Sequence, residues 1–140
     1  MASQNYELKF DGYWREPKKN STPNVSGIYC VYSCIHNQTE KTVTLKKLIY
    51  IGESSDVRDR LASHEKLSLW EKHLNNNEVL CYSVAKIQST DRLRCEAALI
   101  NKHTPPENNE YSDAFPFDET RITLSGKINK LINTFTVHRS

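Results

Sequence analysis

No stretch of this 140-residue chain is apolar for long enough to cross a membrane as a helix. Its richest runs, Val25 to Ile35 and Leu48 to Gly52, fall well short of the ~18 residues a span needs. The opening MASQNYELKF has no basic segment followed by an apolar one, so no secretory leader is expected. Charge of one sign is not in excess either: 19 Lys and Arg face 17 Asp and Glu, a net +2 with His neutral. Nucleic acid gripped by bulk charge alone is thereby excluded, and phosphate binding would have to come from charge placement. Repeats and low-complexity tracts are missing, and aromatics at 9 % argue against disorder in an otherwise polar chain. These absences leave a non-membrane, cytoplasmic protein of one domain, long enough to bury an ordinary core without staples.

Metal-finger chemistry is also missing. There is no CxxC pair and no HxxxH companion to Cys30, Cys34, Cys81 and Cys95. Cys30 and Cys34 fall in a β-rich run, where residues four apart lie about 13 Å from one another, too far to share a tetrahedral ion. Reduced thiols filling small core spaces are the expectation. Cations cluster at Arg15/Lys18/Lys19, Lys46/Lys47, Arg58/Arg60 and Lys127/Lys130. On spacing alone most of these read as solvated surface.

Residues 1–24 hold Tyr6, Leu8, Phe10, Tyr13 and Trp14 among polar and Pro punctuation, which suggests an ordered arm packed on the domain. VSGIYCVYSCI and KTVTLKKLIYIG, β-branched and aromatic, flank the polar HNQTE and predict a β-hairpin. Ser54 or Ser55 could cap a helix carrying Val57 and Leu61, a short helix is expected over Leu67 to Leu74, and VLCYSVAKI predicts a third strand. Thr90 precedes a helix to about Lys102, ended by Pro105-Pro106. After a loop from Glu107 to Thr120, the stripe Ile128, Leu131, Ile132 and Phe135 predicts a C-terminal helix behind Ser125. The expected fold is α+β: a small three-stranded antiparallel sheet flanked by helices, with an N-terminal arm and an additional C-terminal helix. The core would occupy about 25–109 of a single 1–140 domain, with 110–140 as an extension.

Taken singly, the candidate functional residues are ordinary. Tyr29 and Tyr50 read as core tyrosines with satisfied hydroxyls, although Gly27 and Gly52 beside them would permit close approach of another chain or a ligand. Arg60 and His64, four apart, read as a surface pair on one side of a helix. Glu96 lies at the edge of the apolar stripe of its helix, about 60° from Leu93 and about 40° from Ile100. A carboxylate there either pairs with a cation or collects a metal. Asn108 is ordinary turn chemistry.

Together they form a pattern. Gly27-Ile28-Tyr29 and Tyr50-Ile51-Gly52 spell GIY and YIG on the two hairpin strands; Arg60, His64, Glu96 and Asn108 follow in order. From about Val25 to Asn109 the chain resembles the GIY-YIG nuclease family. The resemblance implies hydrolysis of a DNA phosphodiester by an endonuclease of restriction, mobile-element, phage or repair type, using one Mg²⁺ or Mn²⁺ ion and no organic cofactor. Carried onto this sequence, it makes Tyr29, Tyr50, Arg60, His64 and Glu96 the catalytic set. Glu96 would hold the metal, Arg60 would donate to phosphate, Tyr29 would take the proton from water and Tyr50 would orient. His64 would accept a proton from Tyr29 or contact phosphate. Gly27, Gly52, Asn108, Lys46 and Lys47 would face the substrate. The separation of Tyr29 and Tyr50 exceeds the family's usual spacing, so the hairpin should protrude or carry an inserted loop, with Lys41, Lys46 and Lys47 on it. The family's frequent separate DNA-binding domain has no counterpart here, and a homodimer is one candidate for supplying target recognition. The competing reading is a catalytically silent nucleic-acid-binding module with the same fold.

Overall fold

The structure, a computed structural model, describes residues 3–140; Met1 and Ala2, the start of the expected arm, lie outside the described residues. Its centre is the apolar run GIYCVYSC in strand β2 (Gly27–Asn37), whose first eight residues are all buried because both faces of this strand are covered. β2 pairs antiparallel with β3 (Thr42–Ser54) on one side and β4 (Glu78–Lys86) on the other. On one face lie α1 (Val57–Ala62) and α2 (Leu67–Glu71), packing Val57, Leu61 and Trp70 against Tyr29, Val31, Tyr82 and Val84. On the other lies α3 (Ser89–His103), packing Cys95, Ala97, Ala98 and Leu99 against Ile28, Cys30, Tyr32 and Ile51. The two-residue period of β2 thus divides the molecule into two cores.

The α+β class holds, but the sheet has six strands rather than three, in the order β3-β2-β4-β1-β5-β6. The expected arm is β1 (Gln4–Arg15), which pairs antiparallel with β4 and buries Leu8 and Phe10. Its aromatics pack because they are built into the sheet, not laid over it. The expected C-terminal helix is also replaced by strands. β5 (Thr120–Gly126) runs parallel to β1 and turns inward Thr120, Ile122 and Leu124; β6 (Thr134–Val137) pairs antiparallel with β5 and buries Phe135 and Val137. Alternation at period two, in Thr-Arg-Ile-Thr-Leu and Thr-Phe-Thr-Val, prevailed over a helical match whose member Ile132 is 45 % exposed.

Local differences have equally plain causes. Asp56, not a serine, caps α1 by accepting from the Asp59 backbone N–H at 3.1 Å. The hairpin's length is taken up by strand: β2 pairs with β3 out to Asn37–Thr42 and with β4 out to Ile35, so only the tip extends beyond its neighbours. The cysteines are not all reduced. Cys34 and Cys81 form a disulfide between β2 and β4, while Cys30 and Cys95 are free and buried.

Candidate active site

Tyr29 projects from β2 into the core under α1 and is 1 % exposed. That position exists only because Gly52 faces it on β3: a Cβ at Gly52 would lie 2.4 Å from the Tyr29 Cζ and Oη atoms. Gly27 likewise meets β4, where a Cβ would lie 2.3 Å from the Ala85 carbonyl oxygen. Both glycines are buried. The close approaches that these two glycines permit are therefore made by the protein's own atoms.

His64, just after α1, reaches the Tyr29 hydroxyl through Nε2 at 2.8 Å. Its Nδ1 accepts the Lys66 backbone N–H at 3.0 Å. Burial, reinforced by the Arg60 charge, pulls the His64 pKa down to about 4, so the ring is neutral near pH 7. A neutral imidazole whose Nδ1 accepts must carry its proton on Nε2. His64 therefore donates to the Tyr29 oxygen, and in this resting arrangement it does not accept the tyrosine's proton. Trp70 of α2 supports the imidazole from 4.3 Å between ring centroids and Tyr50 from 5.4 Å. The Tyr29 and Tyr50 rings are 6.2 Å apart, and Lys66 Nζ stands 5.9 Å from the Tyr50 centroid.

The electrostatics set limits on each group. Burial lifts the Tyr29 phenol far above its ordinary range; Tyr50 and Glu96 add to the rise and Arg60 opposes it. Tyr50 is pushed up to about 12, by burial and then by Glu96, again against Arg60. Both are neutral phenols at rest. Arg60 forms a fork with Glu65, with two bonds of 2.6 Å, and the Glu65 carboxylate is held low, to about 2, chiefly by that bond. Arg60, expected to donate to phosphate, is thus closed on an exposed carboxylate.

Glu96 approaches from α3 around the open edge of β3. Burial pushes its pKa up to about 8, and the charges of Glu53 and Glu110 add to the rise; the Glu53 backbone N–H and Arg92 oppose it. Among the described residues no lysine or arginine forms an ion pair with it. A half-buried carboxylate crowded by two others and without an ion pair is the chemistry a divalent ion would relieve, so the residues fit one. Among the described residues no three His, Cys, Asp or Glu side chains form a cage. An ion here would accordingly rely on Glu96 and on water or substrate oxygens, the habit of Mg²⁺. A cleft of about 120 Å³ opens beside it, lined by Tyr50, Lys66, Glu96, Asn108 and Glu110.

Two of the remaining expected substrate contacts, Asn108 and Lys47, have partners within the protein. Asn108 donates from Nδ2 to the Ile51 carbonyl and accepts the Ile51 N–H at Oδ1, both at 2.9 Å. Its amide acts as a short extra strand on the free edge of β3, between Tyr50 and Gly52, and that contact uses one of its two Nδ2 hydrogens. Lys47 donates to His73 Nδ1 at 2.8 Å, and His73 Nε2 in turn donates to Glu107 at 2.6 Å. Lys46 is exposed on β3. Sequence reasoning did not single out Trp70, Glu65, Glu53 or the His73–Glu107 pair. Trp70 was legible only as an apolar helix position, and the others carry no motif.

A family model for the GIY-YIG catalytic domain matches residues 26–111. UvrABC system protein C of Borrelia turicatae (strain 91E135) is 30% identical over 123 residues, covering 83% of this chain and 19% of that protein. The chain thus spans about a fifth of the length of the curated relative it matches. No solved structure matches the chain. The family match and the likeness to that protein support nuclease activity. The match covers well over half of the chain and contains every motif residue from Gly27 to Asn108, and the chain therefore belongs to the GIY-YIG family.

Proposed function

We propose that this chain is a divalent-metal-dependent endonuclease that hydrolyses DNA phosphodiester bonds. The observation carrying the proposal is convergence: His64 bonds the Tyr29 hydroxyl at 2.8 Å, the Tyr50 ring stands 6.2 Å from that of Tyr29 and 5.8 Å from the imidazole, Glu96 of α3 lines one cleft with Tyr50, and the Arg60 charge bears on both tyrosines. Bound at Glu96, the ion would supply Lewis-acid stabilisation of charge on the scissile phosphate and the leaving oxygen. Arg60, released from Glu65, presents its planar fork to the phosphate. The Tyr29 phenolic proton would first pass to solvent; His64 Nε2–H and the Arg60 charge both favour the resulting negative charge on the oxygen, which can then take a proton from the attacking water. The water oxygen then bonds to phosphorus as the P–O bond to the leaving sugar oxygen breaks. Trp70 and Gly52 hold the imidazole and the phenol in register, and Asn108 positions Tyr50 by clamping Ile51.

The alternative, a silent nucleic-acid-binding module, is favoured by two observations: Arg60 is occupied, and Tyr29 is a neutral phenol at rest. Supercoiled plasmid with Mg²⁺ or EDTA, alongside Glu96→Gln, separates the two. Metal-dependent nicking that the variant lacks supports the nuclease. DNA binding by folded protein without cleavage, in Mg²⁺ and in Mn²⁺, supports the silent module.

A further inference from the structure

A wide groove of about 1030 Å³ opens between the end of β1, the tip of the β2–β3 hairpin and the turn after β5. Tyr13, Trp14 and Arg15 line it from β1, Lys18 from the 3-10 turn over Glu16–Ser21, Lys41 from the hairpin tip and Lys127 from the turn. No Asp or Glu lines it. Among the described residues these four cations take part in no ion pair. The nearby carboxylates are engaged elsewhere: Glu16 holds Lys19 at 2.6 Å and accepts from the Tyr82 hydroxyl, and Glu40 accepts from Asn37 at 3.2 Å.

The groove is separate from the catalytic cleft. Tyr13, Val43 and Ile128 pack on the core beneath α3, whereas Tyr29 belongs to the core beneath α1 and α2. Along β2 the distance from Tyr29 to the hairpin tip at His36 is about 23 Å. In a chain of net charge +2, four unneutralised cations in one concavity are a concentrated positive field. One half-buried ring, Tyr13, stands among them, while the Trp14 ring packs on the core beneath α1 and α2. Tyr13 is fixed by a hydrogen bond from the Asn129 N–H to its hydroxyl at 3.1 Å and by an edge contact with Tyr32 at 5.7 Å. Cations spaced along a groove around a held aromatic ring suit a polyanion with unstacked bases. A duplex would offer only its phosphates, and a small anion would leave most of the cations unused.

We propose that this groove binds a single strand of nucleic acid, its phosphates against Arg15, Lys18, Lys41 and Lys127 and a base against Tyr13. The proposal does not depend on cleavage, so it is tested in EDTA on the full chain. The probe is a fluorescein-labelled oligothymidylate of about 15 nucleotides, near the upper site size of single-strand binders, followed by anisotropy across a salt series. Lys18→Glu/Lys127→Glu is compared with Lys102→Glu/Arg121→Glu, which makes the same charge change on α3 and β5. The groove pair should weaken binding at least ~10-fold and reduce the slope of log K against log salt by about 1.4, the value for two lost single-strand phosphate contacts. The control pair should stay within about threefold, as contacts off the path of the strand carry little. Lys18→Gln/Lys127→Gln should lose affinity in the same direction, which guards against misfolding of the charge-reversed pair. Equal losses in groove and control pairs, or no loss in the groove pair, overturn the proposal. Tighter binding of the matching duplex than of the single strand overturns the assignment to single strands.

Discussion

The tightest steric constraint at the site is between Gly52 and Tyr29, and it makes Gly52→Ala an informative perturbation. The added methyl would sit 2.4 Å from both Cζ and Oη of Tyr29. Ordinary carbon contacts are about 3.5–4.0 Å, so the ring must retreat by roughly 1 Å. It has nowhere to go: Tyr29 is 1 % exposed and walled by Val57, Leu61, Tyr82 and Val84. Strain of this kind costs about 1–3 kcal/mol in a packed core. For a chain of this size that lowers Tm by roughly 4–12 °C. The functional cost is the larger one. Moving the phenol by about 1 Å breaks its 2.8 Å bond with His64 and misplaces the reacting oxygen, which is worth about 10² in rate. Gly126→Ala is the matched control. There φ is +82° and a Cβ would meet the Phe10 carbonyl oxygen at 2.3 Å, so the fold is strained at β1, away from Tyr29 and Tyr50. Thermal melts and single-turnover plasmid nicking, normalised to folded protein, should show both variants destabilised but only Gly52→Ala slowed. A Gly52→Ala protein that melts within about 2 °C of the parent and cleaves within about threefold of it would refute the steric reasoning.

Three further outcomes are expected. His64 has a folded pKa of about 4, below its unfolded value of 6.5, so its contribution to stability is fully present above the unfolded pKa and lost as pH falls toward 4. Urea melts between pH 7 and 4 should show a loss on the order of 1–3 kcal/mol in the parent that His64→Gln lacks. Asn108→Ala removes two backbone hydrogen bonds at the edge of β3 and should cost about 1–3 kcal/mol. It should lower kcat with KM little changed, whereas a rise confined to KM would make Asn108 a substrate contact after all. Glu65→Ala frees the Arg60 fork and should tighten DNA binding by a few fold, roughly the worth of an exposed pair, while Arg60→Ala slows cleavage about 10² or more. Unchanged affinity in Glu65→Ala would show that phosphate does not displace Glu65.

The inner fold was legible because its signals are local and strong. GIYCVYSC and LIYIG, with Pro105-Pro106 after α3, place β2, β3 and α3 within a few residues of where they lie. Both ends of the chain were misread for one shared reason. β1 and β5 are partners, running parallel from Gln4–Thr120 to Phe10–Gly126, and each makes sense only against the other. A parallel pair joined across more than a hundred residues leaves no turn signal, and without it β1 reads as an arm and the segment after β5 as an amphipathic helix. The site divides in the same way. The residues of the motif were readable as a set, yet the roles of Gly27, Gly52, Asn108 and Lys47 depend on what they touch, and their nearest partners are all within the protein.

The edge position of β3 explains why those partners are needed. An edge strand offers unpaired backbone groups, and a catalytic tyrosine carried on one would move with every opening of the strand. Here the Glu107 N–H bonds the Ile49 carbonyl at 3.1 Å and the Asn108 amide closes both polar groups of Ile51, so the loop after α3 completes the ladder on either side of Tyr50. That loop begins at the end of the helix carrying Glu96, and Pro105 and the left-handed Thr104 fix its departure. The carboxylate expected to hold the ion and the tyrosine expected to orient water are therefore held in register by one short segment. Freedom is left on the other side of the cleft, where Arg60 and Glu65 meet in solvent and can part. The arrangement is rigid where the proposed reacting atoms would be aligned and loose where phosphate would enter, the division of labour that the proposed hydrolysis requires.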